Sequence, residues 1–143
     1  MNNITIKYVT PEAIIFELEK SHNIYLLCEI NGVFKIYDDK FREFRHIKIT
    51  KTNPGSVRHL YVIRTKRRDA LVKHLFKNKI SCQIHYPYSL NKLSAVKKEI
   101  KKTVLKNSEK WSNECLSLPI HSKMRLHEVN HVVGEVKRFF FEK

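Results

Sequence analysis

His127-Glu128-Val129-Asn130-His131 is the run of this sequence with the most explicit chemical content. On a helix, side chains four residues apart share a face. His127 and His131 could therefore offer two imidazole nitrogens to one zinc ion, with Glu128 as base for a bound water. Gly134 extends the match to the longer zinc-protease form, whose third histidine would fall at position 137. That position is Lys137, an ammonium with no lone pair to give at neutral pH. The shorter form needs a distant downstream carboxylate, but only 12 residues follow His131, and Glu135 and Glu142 are too near. A zinc hydrolase is thus the remotest of the functional readings, and adventitious metal binding by His127 and His131 is the most the pair supports. The same residues suit an amphipathic closing helix with Val129, Val132, Val133 and Val136 inward and the histidines toward solvent. Nothing else is as sharp: there is no Walker motif, nucleophile elbow or paired Cys-His nucleophile. Cys28, Cys82 and Cys115 are widely spaced and odd in number, which suits reduced, buried thiols.

The elements that would position such residues divide at Thr52-Asn53-Pro54-Gly55-Ser56, a cluster of turn formers. Upstream, residues 1 to 55 read as β-rich. Ile4 to Val9 alternates. Thr10-Pro11-Glu12 has the signature of a helix start, with a short helix to about Lys20, although Ile14, Phe16 and Leu18 would also suit a strand. Asn31-Gly32 between the apolar runs 23–30 and 33–37 predicts a hairpin with a type I′ turn. His46 to Thr50 alternates again. Downstream, strands and helices alternate: a strand over 57–64, a helix over 67–78, a strand over 80–86 ended by Pro87, a helix over 93–105, a short strand over 115–119, and a helix over about 126–140. The expectation is an α+β protein, with a helix-packed sheet over 56–143 and the 23–37 hairpin extending or covering it.

The formal charge of +14 is uneven: residues 1 to 55 carry 8 basic and 7 acidic side chains, and 56 to 143 carry 20 and 7. A basic surface attracts nucleic acid, anionic lipid or phosphorylated ligands. A noncatalytic binding module for an anionic partner is accordingly the alternative function. Nucleic acid is not favoured as that partner, because 20 of the 28 cations are lysine and the aromatic residues form no row interleaved with them. No apolar run approaches the ~20 residues of a membrane span, and no leader pattern opens the chain, so a cytoplasmic location without membrane partners is expected.

Read in order, the second part carries several motifs of one family. His59-Leu60-Tyr61-Val62-Ile63-Arg64, then Arg67-Arg68-Asp69 and Leu71, resemble a strand running into a helix. Ile84-His85-Tyr86-Pro87 resembles a characteristic strand end. Glu109, Cys115-Leu116-Ser117-Leu118-Pro119-Ile120-His121, and Val129, Val132 and Phe139 resemble a closing strand and helix. Together residues 56–143 resemble the small C-terminal domain of the DegT/StrS-type nucleotide-sugar aminotransferases, which depend on pyridoxal phosphate and serve nucleotide-sugar amination for surface polysaccharides. Ser89 and Asn91 stand where the family usually has a second proline and a second histidine, and Arg125-Leu126 replaces its usual helix cap. The resemblance places His85 and Tyr86 near substrate and assigns no catalytic residue. The family's cofactor lysine, its pyridine-nitrogen acid and its phosphate cradle belong to a large domain that residues 1 to 55 do not resemble. A chain with three glycines cannot build a glycine-rich cradle. The resemblance thus implies a truncated or split relative with no cofactor of its own, whose partners would be a separate large aminotransferase domain and a second copy in a homodimer.

Overall fold

The computed structural model describes residues 5–9, 14–17, 23–50, 59–96, 98–121 and 123–142. The turn at Thr52-Ser56 and the cap at Thr10-Glu12 lie outside them. In chain order the elements are β1 (Thr5–Val9), β2 (Ile14–Glu17), α1 (Asn23–Phe41), β3 (Lys48–Ile49), β4 (Tyr61–Arg64), α2 (Arg68–Lys77), α3 (Lys98–Lys101), α4 (Lys106–Glu114), β5 (Cys115–Leu118) and α5 (Leu126–Phe141), with a single 3-10 turn at Leu90–Lys92. β1 and β2 form an antiparallel pair, Thr5 opposite Glu17 and Val9 opposite Ile14. The main sheet is three-stranded and antiparallel in the order β3-β4-β5.

Two expectations are overturned in the first part. Residues 23–37 form a helix and not a hairpin, and 14–17 form a strand in place of the helix to Lys20. The first reversal is a contest between local and tertiary terms. Glycine inside a helix costs about 1 kcal/mol against alanine, and Asn-Gly favours a tight turn. Against that, Val33, Phe34, Tyr37 and Phe41 recur at helical spacing and are all buried. Burying each is worth roughly 1.5–3 kcal/mol, so four of them outweigh the local preference several-fold. Two hydroxyls then fix the helix on the sheet: Tyr37 donates to the Pro119 carbonyl at 2.9 Å, and Tyr61 donates to Asp38 Oδ1 at 3.0 Å. For 14–17, the β-branched and aromatic run Ile14-Ile15-Phe16 suits a pleated strand.

The core sits on one face of the main sheet. Side chains alternate along a strand, so Tyr61 and Ile63 share a face with their cross-strand partners Leu118 and Leu116. These four are buried with Leu71 and Leu75 of α2, the α1 residues, and Val129, Val132, Val133 and Val136 of α5. α2 ends in a hydrogen-bonded reversal: Ile80 N–H reaches the Leu75 carbonyl at 2.9 Å, and Lys79 N–H the Phe76 carbonyl at 3.0 Å. Lys79 takes the left-handed conformation, φ 61°, that this cap requires. The expected strand over 80–86 contracts to one antiparallel bridge, Gln83 with Ser117, and the helix expected over 93–105 to the single turn of α3. Leu93, Ile100 and Val104 are exposed, so the periodic face there has nothing to pack on.

Candidate functional site

The same alternation that sends Tyr61, Ile63, Leu116 and Leu118 into the core sends Arg64 and Ser117 to the opposite face, where the chemistry-bearing groups gather. Ser117 Oγ lies 2.9 Å from His85 Nδ1, fixing the imidazole at the end of the bridged segment. Gln83 and Ser117 also exchange backbone hydrogen bonds at 2.7 and 3.1 Å, which holds the chain entering His85. Beyond His85 the chain turns outward. The His85–Tyr86 peptide is cis, and Tyr86 and Tyr88 stand in solvent.

The return of this loop is anchored by polar groups in place of apolar packing. Ser89 and Asn91, two of the departures from the pattern this segment resembles, are both buried. Ser89 Oγ donates to Asn91 Oδ1 at 2.6 Å, and Asn91 Nδ2 donates to the Thr103 carbonyl at 2.8 Å and to Glu109 Oε1 at 3.0 Å. Lys92 Nζ adds an ion pair to Glu109 at 3.3 Å. The hydrogen bond from Asn91, then that from Lys92, holds the Glu109 carboxyl below its ordinary range. His85, Tyr86, Tyr88, Ser89 and Leu90 on one side and Asn107, Ser108, Trp111 and Ser112 of α4 on the other line an open groove of about 440 Å³. No apolar periodicity announces α4, although Asn107, Ser108 and Glu109 are residues suited to a first helical turn.

Behind the groove lies an arginine layer. Arg64 pairs with Glu114 at 2.7 Å and stacks over Trp111, 4.5 Å from the ring centroid. Buried Arg68 donates to the carbonyls of Ser112 and Cys115 at 3.1 and 3.3 Å, closing the end of α4 and the start of β5, and its Nε pairs with Asp69. Cys115 is buried and Cys82 half-buried, both free. Burial pushes both thiols up, so neither is a ready nucleophile.

The His127-Glu128-x-x-His131 run has no third metal-ligating side chain grouped with it among the described residues. Both histidines are exposed on the outer face of α5. Glu128 accepts the Arg125 backbone N–H at 2.7 Å, capping the helix, and that bond holds its carboxyl low, the wrong direction for a general base near neutrality. Among the described residues no group of three or more His, Cys, Asp or Glu side chains could hold a metal ion. The carboxylate of that helix with most structural consequence is one that no motif singles out: buried Glu135 meets His74 Nε2 at 3.1 Å and Arg138 at 2.7 Å. Phe139 and Phe140 carry the Arg67 guanidinium at 4.3 and 5.5 Å, and His46 stacks on Phe140.

The chain matches the model of the DegT/DnrJ/EryC1/StrS aminotransferase family over residues 29–137. It belongs to that family. The match begins well upstream of residue 56, in agreement with the burial of the last turns of α1 in the same core as α5. A dTDP-3-amino-3,6-dideoxy-alpha-D-galactopyranose transaminase from Aneurinibacillus thermoaerophilus is 34% identical over 96 residues, 67% of this chain and 26% of that protein. DesV of S. venezuelae, solved in complex with a ketimine intermediate, superposes with a TM-score of 0.73 at 22% identity, over 82% of this chain and 33% of its own. PseC of Helicobacter pylori, an aminotransferase involved in the biosynthesis of pseudoaminic acid, gives 0.73 at 22% identity, over 81% and 33%. At such identities these two establish the fold. The chain spans about a quarter of the curated relative and a third of each solved structure.

Family enzymes work with pyridoxal phosphate, and the described residues do not fit that cofactor. No lysine lines the groove. Gly32 and Gly134 sit within helices, where neither shapes a phosphate cradle. No helix among the described residues is long and apolar enough to cross a membrane.

Proposed function

We propose that this chain is the C-terminal portion of a nucleotide-sugar aminotransferase, and that it binds and orients the nucleotide sugar while a large domain outside these residues carries the cofactor and the amino transfer. The family match over 29–137 carries the reading. Its local support is His85, held by Ser117 at the rim of a groove whose walls are exposed aromatic rings and short polar side chains. In this reading His85 and Tyr86 meet the sugar, with His85 as hydrogen-bond partner and Tyr86 as an apolar face. The amino sugars so formed would serve surface polysaccharide synthesis in the cytoplasm.

The partners are a large aminotransferase domain and, through exposed apolar side chains that do not line the groove, such as Phe76 and Phe141, a second copy of the assembly. The experiment is reconstitution. The chain alone with pyridoxal phosphate gives no stoichiometric adduct fixable by borohydride and no turnover, whereas addition of a family large domain restores transamination of a nucleotide sugar. A stoichiometric adduct on the chain alone, or a large domain equally active without it, would overturn the proposal. Sedimentation at micromolar concentration reads the association, and a clean 17.1 kDa monomer would remove the second copy.

A further inference from the structure

The chain has one tryptophan, and the fold leaves it 37% exposed beside the groove. Tryptophan is highly buried on average though rarely fully so, and the open part of Trp111 belongs to a ring held from behind. The Arg64 guanidinium covers it at 4.5 Å, and Glu114 fixes that guanidinium at 2.7 Å. The Glu114 backbone is itself tied to the residue after β4, its carbonyl accepting Thr65 N–H at 3.0 Å. Arg64 Nε is buried without a hydrogen-bond partner, so the guanidinium is set by the ring and the carboxylate while one of its own donors goes unmet. The part of the indole that Arg64 leaves uncovered lines the groove. So do Tyr86 and Tyr88, 76% and 64% exposed, while Asn107 and Ser108 supply amide and hydroxyl groups. A groove of about 440 Å³ falls within the ~300–1,000 Å³ usual for small-molecule sites. Rigid π faces with a few in-plane donors and acceptors are what a flat heterocycle requires.

We infer that Trp111, backed by Arg64, is the stacking platform for the base of a nucleoside diphosphate, with Tyr86 or Tyr88 closing over it and Asn107 and Ser108 meeting its polar edge. The inference rests on the proposed function for the ligand being a nucleotide, and goes beyond it in assigning the base to α4. Trp111, being the sole tryptophan, also reports on it. UDP and dTDP should each quench its emission saturably, and inorganic pyrophosphate should not. Equilibrium dialysis with labelled UDP supplies the readout for variants lacking the indole. W111L should raise Kd by between about 5-fold and about 150-fold, the usual range for losing one base-aromatic stack, while W111F retains most of the affinity. R64M should weaken binding less and shift Trp111 emission toward that of a mobile, solvated indole. Y86A and Y88A alter exposed rings that hold no core together, so their lowered affinity stands even if W111L fails to fold. UDP affinity unchanged within about twofold in W111L and in Y86A/Y88A would overturn the inference, as would equal competition by pyrophosphate, or no nucleotide binding at all. The proposed function is judged separately, by turnover with a large domain, so a W111L assembly that turns over at unchanged KM would sink the platform and leave that reading standing.

Discussion

Replacing Gly32 by alanine separates a helix from a hairpin over 23–37 by the sign of one number. In α1 the residue is exposed and helical, and a Cβ built there meets nothing within 4 Å. No packing, therefore, opposes the full propensity gain of roughly 0.8–1 kcal/mol. For a chain of this size that gain raises Tm by about 3–5 °C, between the values for smaller and larger domains. In a type I′ turn the same residue would need φ > 0, and alanine there would cost about 1–2 kcal/mol, lowering Tm by a comparable or larger amount. Thermal unfolding followed by far-ultraviolet circular dichroism distinguishes the two, because the helical reading also requires the native signal to hold or deepen. A fall in Tm with loss of helical signal would refute the assignment of α1 and, with it, the account of the core in which Val33, Phe34, Tyr37 and Phe41 share one helical face.

Three further outcomes follow from the packing. Lys79 holds a left-handed conformation at the end of α2, so K79G should stabilise by up to about 1 kcal/mol, the relief of strain less the extra freedom of glycine in the unfolded chain, and a lower urea midpoint would contradict the cap. R138M removes the closest cation from buried Glu135; with Arg138 itself half exposed, the loss should fall between the ~0.2–1 kcal/mol of a surface pair and the ~3–5 kcal/mol of a buried one, and E135Q in the same background should recover part of it. The folded-state carboxyls of Glu109 and Glu128 are depressed, so their contributions are complete above the ordinary glutamate range and are lost as pH falls through the lower folded values. Urea melts should therefore show stability falling in that acid window for the wild type and falling less for E109Q and E128Q, while an unchanged slope in both variants would remove the linkage.

What could be read from the sequence was whatever repeats along a single element. Leu71 and Leu75 in α2, and Val129, Val132, Val133 and Val136 in α5, lie at helical spacing and are buried where that spacing puts them. Cys115-Leu116-Ser117-Leu118 reads as a strand and is one, and His85 stands out through its motif. The failures share a cause, which is that a partner distant in the chain decided the outcome. Asn31-Gly32 is a strong local turn signal, and it loses because β4 and α5 offer α1 a core to fill. Residues 80–86 have strand chemistry but find only one bridge, since among the described residues of β5 only Ser117 exchanges backbone hydrogen bonds with them. The site was half legible for the same reason. Alternation in Leu116-Ser117-Leu118 already places the serine on the face away from the core, and that signal could have found the partner of His85. Nothing within α4 announces that Trp111 will meet Arg64, far upstream in the chain, because that contact exists only once β4 and β5 pair. The aromatic platform is thus a product of sheet register. A one-residue slip between β4 and β5 would keep every motif and destroy the groove.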